Sequence, residues 1–206
     1  KEDGKWRIKV KDLNSNEELQ VTTDGKWNEI INGGSDWVYE EEFTLVRAFE
    51  WSPDGNMLAY FKFDESDVPE FDMTTYKGQL YPQNYSFKYP KVGEKNSKVE
   101  IYVYNLTTKK TQKINITKPY EYIPRIKWTN DSKGLVVFTL NRLQNDLELF
   151  MAEPTSGVCR PFFHETDKYY LEINDDLTFL KDNKTFVWKS EMDGFSHLYL
   201  YDMQGK

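Results

Sequence analysis

Three carboxylates in a row, Glu40, Glu41 and Glu42, stand in the stretch DWVYEEEF inside an aromatic frame of Trp37, Tyr39 and Phe43. Adjacent like charges repel, and a solvated Glu run has no need of large apolar rings around it. One reading is a solvated acidic turn; the other is a cation site. A hard metal would call for further Asp, Glu or His nearby, and the D-x-D-x-D-G spacing of a calcium loop is absent, so no metal is expected. An organic ammonium fits the residue types better. A free α-amino group has a pKa near ~8 and is largely charged at neutral pH. Its three N–H donors can be shared between two carboxylates, each charge-assisted bond contributing about 1.5–3 kcal/mol. Aromatic walls would lower the local dielectric and strengthen the pairing.

Other chemistry finds little support in the residues. No G-x-S-x-G nucleophile elbow occurs; GGSDW and DGFSH do not fit it. The two histidines are His164 and His197, and the latter sits in SHLYLYD, where it reads as a strand residue rather than a catalytic base. A single cysteine, Cys159, excludes an intramolecular disulfide and a Cys-based zinc cage. No cofactor is expected. The net charge is −7, and no basic cluster exceeds short pairs such as Lys109-Lys110, which argues against nucleic acid and acidic membranes as partners. No run approaches the ~18–20 apolar residues of a membrane span, and no signal peptide is visible.

The elements that must position these acids are strands. Aromatic residues make up 16% of the 206, a share that favours β structure. WRIKVKDL (Trp6–Leu13), MLAYFKF (Met57–Phe63), VEIYVYNL (Val99–Leu106), GLVVFTL (Gly134–Leu140), LELFMAE (Leu147–Glu153), TFVWKSE (Thr185–Glu191) and HLYLYDM (His197–Met203) are short, alternating and bounded by turn residues. One or two helical turns are conceivable only around YEEEF. The strands recur as a unit: FEWSPDGNMLAYFKF, IKWTNDSKGLVVFTL and LTFLKDNKTFVWKSE each join a first strand to a second through an Asp-based turn. Further hairpins such as YVYNLTTKKTQKI and LFMAEPTSGVCRPFF follow. Four-stranded units at roughly 45–55 residues are the mark of propeller blades. The expected fold is therefore all-β, a partial β-propeller of about three to four blades, against the alternative of a β-sandwich of unrelated hairpins. The chain opens without Met inside a strand pattern and closes where a hairpin would turn back, so a piece of a longer protein is expected.

The segment Asp64 to Lys98 interrupts a blade between its second and third strands. Loops beyond ~12–15 residues are usually functional or disordered. The aromatic content of this one favours an arm that packs on a neighbouring domain or a second subunit, with a plain surface hairpin as the bland alternative.

DWVYEEEF, then WSPDG, LAYFKFDESDVPEF and YPKVGEKNSKVEIYVYNL, with FLKDNKTFVWKSEMDGFSHLYLYD at the end, resembles the N-terminal propeller of the dipeptidyl peptidase IV family, serine exopeptidases of the prolyl oligopeptidase clan. The resemblance spans nearly the whole chain. It implies an eight-bladed propeller over an α/β-hydrolase domain, here expected in cis downstream and outside residues 1–206, so that the chain alone would be inactive. It implies that Glu41 and Glu42 anchor the free N-terminus of a peptide substrate, while Glu40 matches the acid without that role. Family members cut after the second residue, preferring Pro or Ala there. Fixing the amine and spanning two residues at about 3.5 Å each sets the distance to the scissile bond. The arm at 64–98 matches the family's dimer-contact arm, so a homodimer is expected. Tyr169, Tyr170 and Phe179 lie in the region that supplies pocket aromatics. The family's substrate-carbonyl arginine is expected to precede this stretch of sequence and is not assigned to Arg47 or Arg125. Five N-x-S/T sequons, at Asn84, Asn105, Asn115, Asn130 and Asn183, fall mostly in turns that favour Asn and Thr anyway. With the Lys- and Asn-rich composition, family precedent implies a bacterial enzyme that is exported, periplasmic or envelope-associated. A non-catalytic protein-binding propeller and a tripeptidyl or endopeptidase relative remain as alternatives.

Overall fold

The computed structural model describes residues 4–206. In chain order its elements are β1 (Lys9–Lys11), β2 (Glu18–Gln20), β3 (Ile30–Asn32), α1 (Trp37–Phe43), β4 (Phe49–Trp51), β5 (Met57–Asp64), β6 (Glu70–Thr75), β7 (Gln83–Lys88) and β8 (Lys98–Asn105). There follow β9 (Lys110–Lys113), β10 (Ile126–Trp128), β11 (Leu135–Leu140), β12 (Asp146–Ala152), β13 (Cys159–Thr166), β14 (Thr178–Phe179), β15 (Thr185–Ser190) and β16 (His197–Asp202). They divide into two compact units, Lys1–Ala48 with Phe61–Val99, and Phe49–Tyr60 with Glu100–Lys206.

The larger unit is written by its turns. Between the first and second strand of each repeat an Asp side chain closes the loop: Asp54 accepts from the Asn56 N–H, Asp131 from the Lys133 N–H, and Asp182 from the Lys184 N–H. The residue after each Asp takes a positive φ: Gly55 at 73°, Ser132 at 60° and Asn183 at 53°. Asn and Gly adopt that conformation at least cost, which is why these hairpins are legible from sequence. A second turn repeats likewise, with Lys109, Gly157 and Gly205 at φ 56°, 74° and 75°. Gly157 is required twice over, because a Cβ there would lie 2.1 Å from the Lys113 carbonyl oxygen.

These turns join antiparallel strands into sheets ordered β10-β11-β12-β13 and β14-β15-β16, preceded by the β4–β5 and β8–β9 pairs. Every residue of β11 is buried, as expected of a strand covered on both faces. Successive sheets are stitched by a repeated device. Trp128 Nε1 donates to the Glu50 carbonyl at 3.1 Å, and Asn130 Nδ2 donates to the Phe179 carbonyl at 3.0 Å. Trp188 lies between Phe138 and Phe163, at 5.9 and 5.5 Å between ring centroids. These are tilted contacts that add to the area the rings bury.

In the smaller unit β3 pairs with the distal half of β5, Ile31 opposite Phe63. The strand expected over Trp6–Leu13 shortens to β1. The Ile8 N–H donates to the Thr22 hydroxyl instead of a ladder carbonyl, and Asp12 ends the strand by accepting from the Asn14 and Ser15 N–H groups. The inserted arm contains an antiparallel hairpin, β6–β7, in register from Glu70↔Lys88 to Thr75↔Gln83. Phe71, Phe87 and Tyr89 form a cluster on it, with centroids 5.6 to 6.2 Å apart.

Candidate functional site

The acids of the opening motif lie on α1, and the helix explains the aromatic frame. Seven residues are too few for a helix to stand in water by itself, so tertiary packing must hold it. Tyr39 and Phe43, one turn apart, are buried and in edge contact at 5.2 Å, and Tyr39 also meets Phe63 at 4.9 Å. Asp36 supplies the N-cap, accepting from the Tyr39 N–H at 2.9 Å. At the other end Thr44 turns left-handed at φ 54°, and the Leu45 N–H donates to the Tyr39 carbonyl at 3.0 Å, which closes the helix. A β-branched residue rarely accepts that conformation, so the stop after Phe43 is held by its surroundings.

The frame therefore does not wall in the carboxylates. Tyr39 and Phe43 turn into the core while Glu40, Glu41 and Glu42 are exposed. The helical period separates residues that adjacency in sequence had suggested were in contact. Glu40 lines a groove of about 210 Å³ together with Trp27, Trp37, Tyr85 and Lys88; Glu41 and Glu42 do not. Those two occupy the last turn, in which none of the helix's own residues is basic. The carbonyl end of a helix is its negative pole, and an acid there is disfavoured by about 0.3–1 kcal/mol.

The sequence reading passed over Asp36, whose position before a helical WVYEEEF was the available signal. Its second oxygen accepts from Ser97 Oγ at 2.6 Å. Burial pushes the Asp36 carboxyl above the ordinary carboxylate range, against the lowering effect of those hydrogen bonds.

The proposed pocket aromatics separate. Tyr169 and Tyr170 line a cleft of about 380 Å³ in the larger unit, with Glu165, Trp188 and Ser190 among its walls. Both tyrosine N–H groups donate to the Asp167 carboxylate, which fixes the loop. Glu165 in turn accepts from Trp188 Nε1 at 2.5 Å and from the Ser190 hydroxyl. Phe179 is not in this cleft. It is 7% exposed and packs on Phe162 and Phe186, a core ring of β14. A two-residue strand carries too little alternation to show which way its ring faces.

His164 lies on β13 with Nε2 2.8 Å from Asp146 Oδ1, and His197 opens β16; both are exposed. Burial raises the Cys159 thiol to about 11, so it is not a thiolate at neutral pH. Arg125 is held to Asp175 and to the Pro124 carbonyl.

Residues 5–206 match the family model described as the dipeptidyl peptidase IV N-terminal region. The chain belongs to this family. Within the dipeptidyl peptidase IV family it is similar to inactive dipeptidyl peptidase 10 of Mus musculus, 34% identical over 91% of this chain and 25% of the relative. It is also similar to dipeptidyl peptidase 4 of Arthroderma otae, 31% identical over 93% of this chain and 26% of the relative. The crystal structure of Porphyromonas gingivalis dipeptidyl peptidase 4 superposes with a TM-score of 0.90 at 42% identity, over 97% of this chain and 29% of that one. The chain thus spans about a quarter of the length of the curated relatives it matches. Its sheets are part of a dipeptidyl peptidase IV-type β-propeller.

Proposed function

We propose that this chain is the propeller portion of a serine-type dipeptidyl peptidase that releases Xaa-Pro and Xaa-Ala dipeptides from peptide N-termini. Glu41 and Glu42 hold the substrate's α-ammonium group. The observation that carries the reading is the family match over residues 5–206, with Glu41 and Glu42 both exposed at the negative end of α1. An ammonium seated between them is paired twice and offsets the dipole penalty. An acylated amine offers neither charge nor three donors, so the same pair makes the enzyme an exopeptidase. Tyr169 and Tyr170 line substrate space. A downstream α/β-hydrolase domain supplies the catalytic serine, and the chain by itself is inactive. The arm at 64–98 contributes to a homodimer, and the enzyme works outside the cytoplasm, in the periplasm or envelope of a bacterium.

A second reading rests on the relative named inactive dipeptidyl peptidase 10: a propeller kept for protein binding without hydrolysis. One experiment separates the readings. The full-length protein is incubated with a free-amine peptide bearing Pro at its second position, and the products are weighed by mass spectrometry. Release of the N-terminal dipeptide is expected. A tripeptide or an internal cut would move the protein to another branch of the clan, and an intact peptide would favour the binding module.

A further inference from the structure

Helix α1 is too short to hold its own direction, and its first turn is fastened from a distant part of the chain. Ser97, 61 residues beyond Asp36, donates its hydroxyl to Asp36 Oδ2 at 2.6 Å in a buried contact. The other Asp36 oxygen caps the helix at the Tyr39 N–H. Next to this joint the Trp37 ring meets the Tyr89 ring, with centroids 4.2 Å apart. Tyr89 and Ser97 bracket the return leg of the inserted arm, after β7 and before β8.

That leg is itself clamped. The Tyr89 N–H donates to the Pro69 carbonyl at 3.0 Å, and its ring packs on Phe71 and Phe87 of the hairpin. Lys88 Nζ, nearly buried, donates to the Val68 carbonyl at 2.8 Å. A residue four positions along a helix sits above its predecessor on the same face, so Glu41 rides on Trp37. Displacing the leg therefore tilts the turn that carries the acids.

We propose that the arm's return leg, through Ser97 and Tyr89, positions Glu41 and Glu42 for the substrate ammonium, with Asp36 as the joint. The inference rests on the amine-anchoring reading of that pair. Ser97, Tyr89 and Asp36 touch no substrate; they are positioning residues. Two carboxylates sharing one ammonium need short bonds in fixed directions, and misplacement by an ångström or less is enough to weaken them.

The test uses the full-length protein and a chromogenic Xaa-Pro amide with a free amine. Ser97→Ala and Tyr89→Leu are compared with Ser97→Thr, which keeps the hydroxyl, and with Tyr81→Ala on the exposed β6–β7 connection. Each is also placed in the Glu41→Gln plus Glu42→Gln background, and thermal unfolding is recorded for all. Ser97→Ala and Tyr89→Leu are expected to raise KM by roughly tenfold with kcat nearly unchanged. Ser97→Thr restores the wild-type KM, Tyr81→Ala does not alter it, and neither leg substitution adds to KM in the Gln background. Should Ser97→Ala unfold, Tyr89→Leu and Ser97→Thr carry the comparison. An unchanged KM, or an equal rise in the Gln background, would overturn the positioning role. If the paired Gln changes themselves leave KM untouched, the amine anchor fails and this inference falls with it. If they raise KM and the leg substitutions do not, the inference alone falls.

Discussion

Asp36 is buried, caps α1 and receives the Ser97 hydroxyl, yet it carries no substrate in the proposed chemistry. Replacing it with Ala removes an N-cap, about 0.5–2 kcal/mol, and leaves a buried hydroxyl without its acceptor, roughly 1–3 kcal/mol more. Asp36→Asn keeps an acceptor for the Tyr39 N–H, places an N–H₂ beside Ser97, and takes a charge out of the interior. The expected order of stability by thermal unfolding at neutral pH is Asn at or above wild type, with Ala well below both. The pH dependence has a definite sign. Because the Asp36 pKa is raised in the folded state, the native protein holds that proton over a window where the unfolded chain has lost it. Its contribution is full below the unfolded value and is lost as pH rises through the folded one. Asp36→Asn therefore gains on wild type as pH climbs through that window; a constant difference would show that Asp36 does not titrate as described. At this scale the Glu triplet announced itself in the sequence, but the directions of the rings did not. Phe179 and the aromatic frame both depended on which face a short element turns inward.

Elements were legible wherever turn chemistry and a covered core agreed. The Asp-closed hairpins gave the strands from β4 and β5 onward, because positive-φ residues and alternating apolar runs coincide there. The hairpin β6–β7 stood in the sequence only as the bland alternative for the arm, because its strands bury neither face fully and alternation had no core to enforce it. The left-handed Thr44 was also invisible, since nothing in its type calls for that conformation. Two glycines test the turn argument in a matched way. Gly55 and Gly157 have nearly equal φ, 73° and 74°, but a Cβ meets nothing within 4 Å at Gly55 and the Lys113 carbonyl oxygen at 2.1 Å at Gly157. Gly55→Ala should cost only the backbone strain, about 1 kcal/mol, while Gly157→Ala should exceed it by more than about 1 kcal/mol, because backbone must move. Denaturant titration of the two variants in the full-length protein decides; equal losses would mean that the close approach is relieved without cost.

At the scale of the whole molecule, repeat period and motif order pointed to the fold and the family, and the family match over residues 5–206 agrees with both. Activity is a further step, because the relatives include a protein named inactive as well as peptidases. The propeller's share in any activity comes down to whether two acids on a seven-residue helix read the charge of a peptide's first nitrogen. The direct measurement is kcat/KM of the full-length protein on an Xaa-Pro chromogenic amide, free and N-acetylated, for wild type and for Glu41→Gln plus Glu42→Gln. The account predicts a preference for the free amine of a hundredfold or more, on the basis of two charge-assisted bonds at about 1.5–3 kcal/mol each, and its collapse in the double variant. Equal hydrolysis of the two substrates, or a double variant that keeps the preference, would contradict it.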